Sequence, residues 1–494
     1  MIEGRLPEGG NQTLKKRILT ALCLPLLLVL TGCLFRSPED LYRQPEKSAG
    51  YEQLNAAIRN VKTGLELELG VKPEDANILA GDNTATIQLQ DLDGDGRRES
   101  AVTFLRVPGE EHSMRIYIFS QVGEEYVATG VVEGEGSAIY AIDYVQLNGE
   151  GRKELVVCWQ ISTGAYQVGA YTLDNIDLPG EGLDEEEARE AIAGMTRGDL
   201  AGSGLLLTRC HVAGDGSSGV LLLDMDQDTR TEIVVVRTDS SGVNSHAEMY
   251  GWEDGALAPV GLADLSSGIS SISRIRSNYL AGDTYQPAIY ITSTLSDGSR
   301  GIDVLAMQEG KLVNLALDEN GVSRELIQGY TEVNPTDING DYVVELPCPT
   351  ALPTYGESAS SNFWIIDWSQ YDSRGRRSHV LTTYHNSSDG WYLELPESWR
   401  DQITLSRNDQ VTGQREVVFS HWLGEEREPE PFLSIYRISS SRTGDPQDRG
   451  LFVLREEENI IYAARFHPGG WECGLSEMDL LDRFKTIRAS WHYE

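Results

Sequence analysis

Apolar residues in this chain come in short runs. Ala101-Val102-Thr103-Phe104-Leu105, Leu155-Val156-Val157, Ile233-Val234-Val235-Val236 and Ala288-Ile289-Tyr290-Ile291 are too short for helices and carry no polar alternation. That pattern predicts strands. Several runs are followed by hairpin signals, as in Ile116-Tyr117-Ile118-Phe119 before Gly123 and Met249-Tyr250-Gly251-Trp252 before Gly255. One segment has a different period. Leu54, Ala57, Ile58, Val61 and Leu65 fall on one 3.6-residue face and predict an amphipathic helix packed on the strands.

Between the runs lie acidic loops with a fixed spacing. Asp91, Asp93, Asp95 and Glu99 occupy positions 1, 3, 5 and 9 of a glycine-punctuated loop. A single Asp-Gly pair would read as a solvated turn. Carboxylates at alternate positions of a sharply turning backbone point their oxygens at one centre, which suits a calcium ion taking six to eight oxygen ligands. Without a cation the loop repels itself, at roughly 4 kcal/mol for two charges about 4 Å apart and an effective dielectric near 20. The same template finds Asp224, Asp226, Asp228 and Glu232, then Asp337, Asn339, Asp341 and Glu345. Gln146, Asn148, Glu150 and Glu154 form a weaker copy whose first ligand is an amide, and Tyr279, Ala281, Asp283 and Pro287 a copy without ligands.

First positions at 91, 146, 224, 279 and 337 are separated by 55, 78, 55 and 58 residues. The long step contains Asp184-Glu185-Glu186-Glu187-Ala188-Arg189-Glu190-Ala191-Ile192, read as a helical insertion over about 183–200. A repeat near 55 residues means stacked supersecondary units. Four strands per unit, stacked radially, describes a β-propeller blade. The loop, the strand after it and the unit length resemble the FG-GAP or VCBS repeats of integrin-type β-propellers. That resemblance implies calcium held by side chains at positions 1, 3, 5 and 9 and by a backbone carbonyl at position 7, here Arg97, Arg230 or Val343. This chain departs from the family in having Glu rather than Asp at position 9. The predicted fold is mainly β: a propeller over residues 84–388 of about five repeats, with room for up to seven, plus a C-terminal α+β domain over 389–494.

At the other end, Lys15-Lys16-Arg17 precedes an apolar run from Ile18 to Leu30 and then Thr31-Gly32-Cys33. A charged region, an apolar stretch too short to span a bilayer and small residues at the end read as a secretory signal over 1–33. Leu30-Thr31-Gly32-Cys33 resembles the bacterial lipobox, which implies Cys33 as the lipid-attachment residue. Residues 34–83 then form a linker and the amphipathic helix, and the expected location is the cell membrane, lipid-anchored, facing the exterior or periplasm.

Charge narrows the partners. Seventy-seven acidic against 41 basic residues give a formal charge of −36, which argues against nucleic acid. Beyond Cys23 and Cys33 the remaining cysteines, Cys158, Cys210, Cys348 and Cys473, lack metal or redox spacing. Free thiols are the default, and a Cys158–Cys210 bridge is an alternative in an exported chain.

After residue 388 the cadence stops. Gly390-Trp391-Tyr392-Leu393-Glu394-Leu395-Pro396-Glu397-Ser398-Trp399 opens a stretch with strands near Val417–Phe419, Phe432–Tyr436 and Ile460–Ala464. It closes on a helix begun by Ser476, with Met478, Leu481, Phe484 and Ile487 as its apolar face. The Leu-Glu-Leu-Pro-x-x-Trp opening resembles PsbP-like modules, while Asn386-Ser387-Ser388-Asp389-Gly390 reads as a turn-rich boundary.

Catalytic motifs are missing from the sequence. The eight histidines show no zinc spacing, there is no G-x-S-x-G elbow and no phosphate loop, and Gly214–Gly219 reads as a hairpin loop. Trp364, Trp368 and Tyr371, with Tyr355, read as a core strand in preference to a sugar-stacking shelf. The expectation is a non-catalytic, lipid-anchored envelope protein that binds or scaffolds an extracellular protein or glycan, with calcium stiffening its loops. The alternative is an extracellular glycan-active or other hydrolase with carboxylates in a propeller face or interdomain cleft.

Overall fold

The computed structural model describes residues 49–487 except 99, 123–124, 135, 164, 173–201, 209–218, 239–243, 331, 356–362, 440–445 and 470. The expected signal segment, Cys33, the insertion at 183–200, Cys210 and Gly214–Ser218 therefore lie outside the described residues. No helix among the described residues is long and apolar enough to cross a membrane.

Six antiparallel sheets of four or five strands follow one another along the chain. They span residues 74–134, 138–208, 220–264, 269–327, 346–395 and 403–466, with strands pairing mostly in chain order. This meander follows from the sequence, because each apolar run is joined to the next by a tight turn that permits only antiparallel return.

Stacking explains the unbroken apolar runs. In the first sheet Val102, Phe104, Ile116 and Ile118 pack against Ile139, Leu155, Val157 and Trp159 of the second. Val156 and Val168 on the opposite face of that second sheet meet Ile233 and Val235 of the third. The pattern continues from Val234 and Val236 to Ile289 and Ile291, from Tyr290 and Val304 to Leu346 and Tyr371, and from Tyr384 and Trp391 to Phe419 and Leu433. Each interior strand thus buries alternate residues on two neighbours, at about 1.5–3 kcal/mol per large side chain. Six consecutive meanders stacked face to face are β-propeller blades.

The predicted amphipathic helix is present as α1 (Ala49–Leu69). Leu54, Ile58 and Leu65 pack on Ala101, Leu105, Tyr117 and Phe119, the face of the first sheet turned away from the second. Among the described residues no apolar cluster joins the first sheet to the sixth.

The C-terminal region differs from its expected boundary at 388/389. That point falls in a hairpin, where Asn386 pairs with Trp391 and the strand Trp391–Leu395 completes the fifth sheet. The turn-rich composition suits a hairpin turn as well as a linker, and pairing decides for the turn. Residues 403–466 then build a sixth blade-like sheet, which lacks an acidic loop and so gave no repeat signal. The terminal helix α2 (Glu477–Arg483) starts at Ser476 with a full capping box. Its buried residue is Leu480, while Met478 and Leu481 are exposed. Phe484 is not on the helix at all, because Phe484–Thr486 pairs with the fifth sheet and sheet pairing overrides the helical period.

One buried charge secures the junction of the last two sheets. Asp389 accepts hydrogen bonds from Asn386 Nδ2 at 2.9 Å, Arg415 Nη1 at 2.7 Å and Arg407 Nη2 at 3.3 Å. Its backbone carbonyl also accepts from Tyr462 Oη at 2.8 Å. The arginines and Tyr462 belong to the sixth sheet, so the residue read as a boundary is a clamp across it.

Candidate metal centres

Four of the five loop copies join two paired strands of successive sheets, and the fifth leads into the strand Leu346–Ala351 and is closed at its base by the Thr336–Glu345 bridge. Neighbouring loops touch through backbone. Lys153 N donates to Leu92 O at 2.8 Å, Thr231 N to Gln146 O at 2.7 Å, and Tyr279 bridges Val343. Loops one and two approach so closely that a Cβ on Gly94 would lie 2.1 Å from Gly151 O, which requires glycine there. The third and fourth copies are linked through Gln227 Nε2 to Thr284 O at 3.0 Å.

Within each loop the backbone wraps around the side chain at position 1. Asp91 accepts from Gly94 N at 2.8 Å and Gly96 N at 3.1 Å. Asp224 accepts from Asp228 N and Thr229 N, both at 3.0 Å, and Asp337 from Gly340 N at 2.6 Å and Tyr342 N at 2.9 Å. Positions 4 and 6 are left-handed throughout these three loops and in the Gln146 copy. Glycines adopt this freely in two loops, but Gln227 (φ 63), Thr229 (φ 78) and Tyr342 (φ 68) do not. Such residues cost about 1–3 kcal/mol each and persist only where the surroundings hold them.

The wrapped loops bring carboxylates together. Oxygens of Asp91, Asp93 and Asp95 lie within 4.8 Å of one another, as do those of Asp224, Asp226 and Glu232, and those of Asp337, Asp341 and Glu345. Glu99 lies outside the described residues. At position 9 the glutamate is a strut as well as a candidate ligand: Oε2 of Glu154, Glu232 and Glu345 accepts the position-2 amide at 2.7, 2.7 and 3.0 Å. The longer reach of Glu lets one oxygen hold the strand and leaves the other for the loop centre, which accounts for the departure from Asp. Burial pushes Glu232 up to about 7 and Glu345 up to about 8, with the loop aspartates adding to the shift. Burial and like charge also raise Asp93 and Asp226.

The three clusters are not equivalent. In the third blade Arg230 donates through Nε to Asp228 Oδ2 at 2.7 Å, and these bonds hold Asp228 below the usual carboxylate range against the effect of burial. Asp228 is accordingly missing from that blade's cluster. Arg97 stands farther from Asp95, with Nε 3.9 Å from Oδ2. At position 7 of the fifth-blade loop, Val343 makes no such claim, but Asn339 Nδ2 lies 3.0 Å from Asp341 and 3.4 Å from Glu345, where a cation would sit.

The Gln146 copy shows what replaces a cation. With its amide oriented to satisfy both ends, the oxygen accepts from Gly151 N at 2.7 Å and Glu150 N at 3.0 Å, as the position-1 aspartates do. Its NH₂ then donates to Arg152 O at 2.8 Å, the position-7 carbonyl. A side-chain proton donor thus fills the role the ion would have. The Tyr279 copy closes through Leu280 N donating to Gln286 O at 2.9 Å, and no carboxylate cluster forms there among the described residues.

Sequence reading missed one element of the motif. Position 2 is apolar in all five copies, and Leu92, Leu147, Met225, Leu280 and Ile338 are all buried. The aligned copies carry this signal, but it concerns packing and not ligation. Elsewhere Trp364, Trp368 and Tyr371 lie in the strand Trp364–Tyr371, where Trp368 and Tyr371 are buried and Trp364 stacks on Tyr330, whereas Tyr355 lies outside that strand and is exposed. Cys348 and Cys473 are free thiols.

Oxygen donors alone, in a partly buried acidic pocket, fit a hard divalent cation such as calcium and not zinc or copper. No protein-family model and no curated protein matches the chain. Solved structures give loose likenesses. The WD40 domain of SCAP from fission yeast is 11% identical, with 76% of this chain and 66% of that one covered at a TM-score of 0.24. Sqt1 of Saccharomyces cerevisiae is also 11% identical, over 70% of this chain and 97% of that one at 0.28. Aleuria aurantia lectin, in complex with alpha-methyl-L-fucoside, is 10% identical over 82% and 97% at 0.21. At these scores nothing of their chemistry transfers to this chain.

Proposed function

We propose that this protein is a lipid-anchored envelope binding or scaffolding protein of the FG-GAP/VCBS type, whose blade loops bind calcium and are stiffened by it. The observation that carries the calcium reading is the convergence of three carboxylate oxygens within 4.8 Å in each of three loops. Asp91, Asp93, Asp95 and Glu99, Asp224, Asp226 and Glu232, and Asp337, Asp341 and Glu345 would hold the ions, with the carbonyls of Arg97, Arg230 and Val343 completing the shells. Because adjacent loops are linked by backbone, an ion in one loop restrains its neighbours and presents a rigid rim to a partner. The anchor at Cys33 rests on the lipobox-like Leu30-Thr31-Gly32-Cys33. Calcium titration of the mature chain, with and without Asp93→Ala, Asp226→Ala and Asp341→Ala, tests the metal. Mass spectrometry of the membrane-extracted N-terminus tests the lipid.

A second reading, hydrolysis, has one observation in its favour. Asp82 and Asp143 share a cavity of about 330 Å³ at the second and third sheets, and burial and then the Asp82 charge raise Asp143. A raised carboxyl beside a second carboxyl suits the paired acid and base of glycosidases. The binding reading predicts no turnover of aryl glycosides; turnover abolished by Asp143→Asn would replace it with the enzyme.

A further inference from the structure

Loop five opens onto a cleft, and the cleft has an electrostatic character unlike the rest of this acidic chain. Its volume is about 650 Å³, within the size range of small-molecule sites. Asp337 and Asn339 form one wall, Tyr392, Glu394 and Lys485 the floor across the paired strands of the fifth sheet, and Arg455 of the sixth sheet the opposite side. Lys485 makes no hydrogen bond or close ion pair among the described residues, and the carboxyl it acts on electrostatically is Glu394 in the same cleft. Arg455 gives Nε to Glu457 at 3.1 Å and has no partner for its terminal nitrogens among the described residues. In a chain of net charge −36, two available cations in one cleft ask for an anion.

We infer that this cleft binds a small sugar acid, its carboxylate held by Arg455 and Lys485 and its hydroxyls facing Asn339, Glu394 and the loop. This rests on the calcium reading of loop five. Without a cation the wall of Asp337, Asp341 and Glu345 repels a carboxylate; a divalent ion in the loop reverses that sign and offers hydroxyl oxygens an additional partner. The two ligands are therefore coupled, and each strengthens the other by the same factor. Glu394 lies among these groups and is raised by burial against the pull of Lys485 and Arg483.

The test is a titration of the mature protein with D-galacturonate, with D-galactose as the neutral probe, in calcium and in chelator, beside a separate calcium titration. The expected result is galacturonate binding that weakens about tenfold in chelator. Lys485→Ala with Arg455→Ala should weaken it about tenfold while calcium affinity of the other loops stays as it was. Asp341→Ala should weaken galacturonate and remove one calcium. Equal binding of galactose, or galacturonate binding unchanged in the Lys485 and Arg455 variant, overturns the cleft assignment while the calcium reading stands. Absence of calcium binding in the separate titration overturns both.

Discussion

Loops one and two of this protein share a backbone path and differ at its hub, Asp91 against Gln146, with Asn148 and Glu150 standing where loop one has Asp93 and Asp95. In loop one Asp91 gathers the turn's amides and leaves the loop centre acidic; in loop two Gln146 gathers equivalent amides and supplies a proton donor to Arg152 O. The difference teaches what the acidic version lacks. A loop wrapped on an amide is internally satisfied, whereas a loop wrapped on a carboxylate, with two more carboxylates beside it, is short of positive charge. Four blades share the wrapped loop shape, and on the proposed reading an ion would complete it only where the hub is an aspartate.

This comparison can be broken in several ways. The largest effect is expected from calcium removal. At millimolar calcium and a dissociation constant of about 10⁻⁴ to 10⁻³ M, each site adds roughly 0.4–1.4 kcal/mol, so three sites add about 1–4 kcal/mol together. Chelator should lower the melting temperature of the wild type by a few degrees. The Asp93→Ala, Asp226→Ala, Asp341→Ala triple variant should show no response to chelator, and Gln146→Ala should keep the wild-type response.

Next comes pH. Glu232 and Glu345, raised to about 7 and about 8 in the metal-free fold, bind protons more tightly there than in the unfolded chain. Their contribution is fully present below about pH 4.5 and is lost as pH rises toward 8, so metal-free stability should fall across that window. Calcium needs these groups ionised, so its affinity should rise over the same window and binding should release protons. Melting curves at several pH values with and without calcium check both signs; a metal-free curve that rises from pH 5 to 8 would remove the glutamates from the account.

Smaller still is the effect of converting the amide hub. Gln146→Asp should add one calcium site and about 0.4–1.4 kcal/mol in millimolar calcium, and should destabilise the protein in chelator. Smallest is Arg230→Ala, which releases Asp228 into the third cluster. An exposed ion pair of this kind is worth about 0.2–1 kcal/mol, so calcium affinity of that loop should rise about 1.4- to 5-fold.

The loops were legible in the sequence because a turn wrapped on its first side chain repeats at a fixed spacing, and that spacing carried the blade repeat with it. Helix α1 was legible for the same kind of reason, since Leu54, Ile58 and Leu65 must share a face to reach the first sheet. The sixth sheet has no ligating loop, so only its strands could be read. Asp389 was missed because a buried Asp in a hairpin turn and a solvated Asp in a linker are the same letters; Arg407 and Arg415, in later strands, make the difference. The apolar face of α2 was misread because pairing of Phe484 with Leu393 ends the helix before its pattern does. The cleft beside loop five joins residues more than a hundred positions apart, from Asp337 to Lys485, and no local pattern signals such a meeting.

The most direct measurement is the number of calcium ions bound, counted by isothermal titration on the wild type and on Gln146→Asp. The account predicts three for the wild type and four for the variant, with the added ion lost again in Gln146→Asp, Glu154→Gln. An equal number in both proteins, or none in either, would contradict the claim that the hub residue decides between an ion and a proton donor.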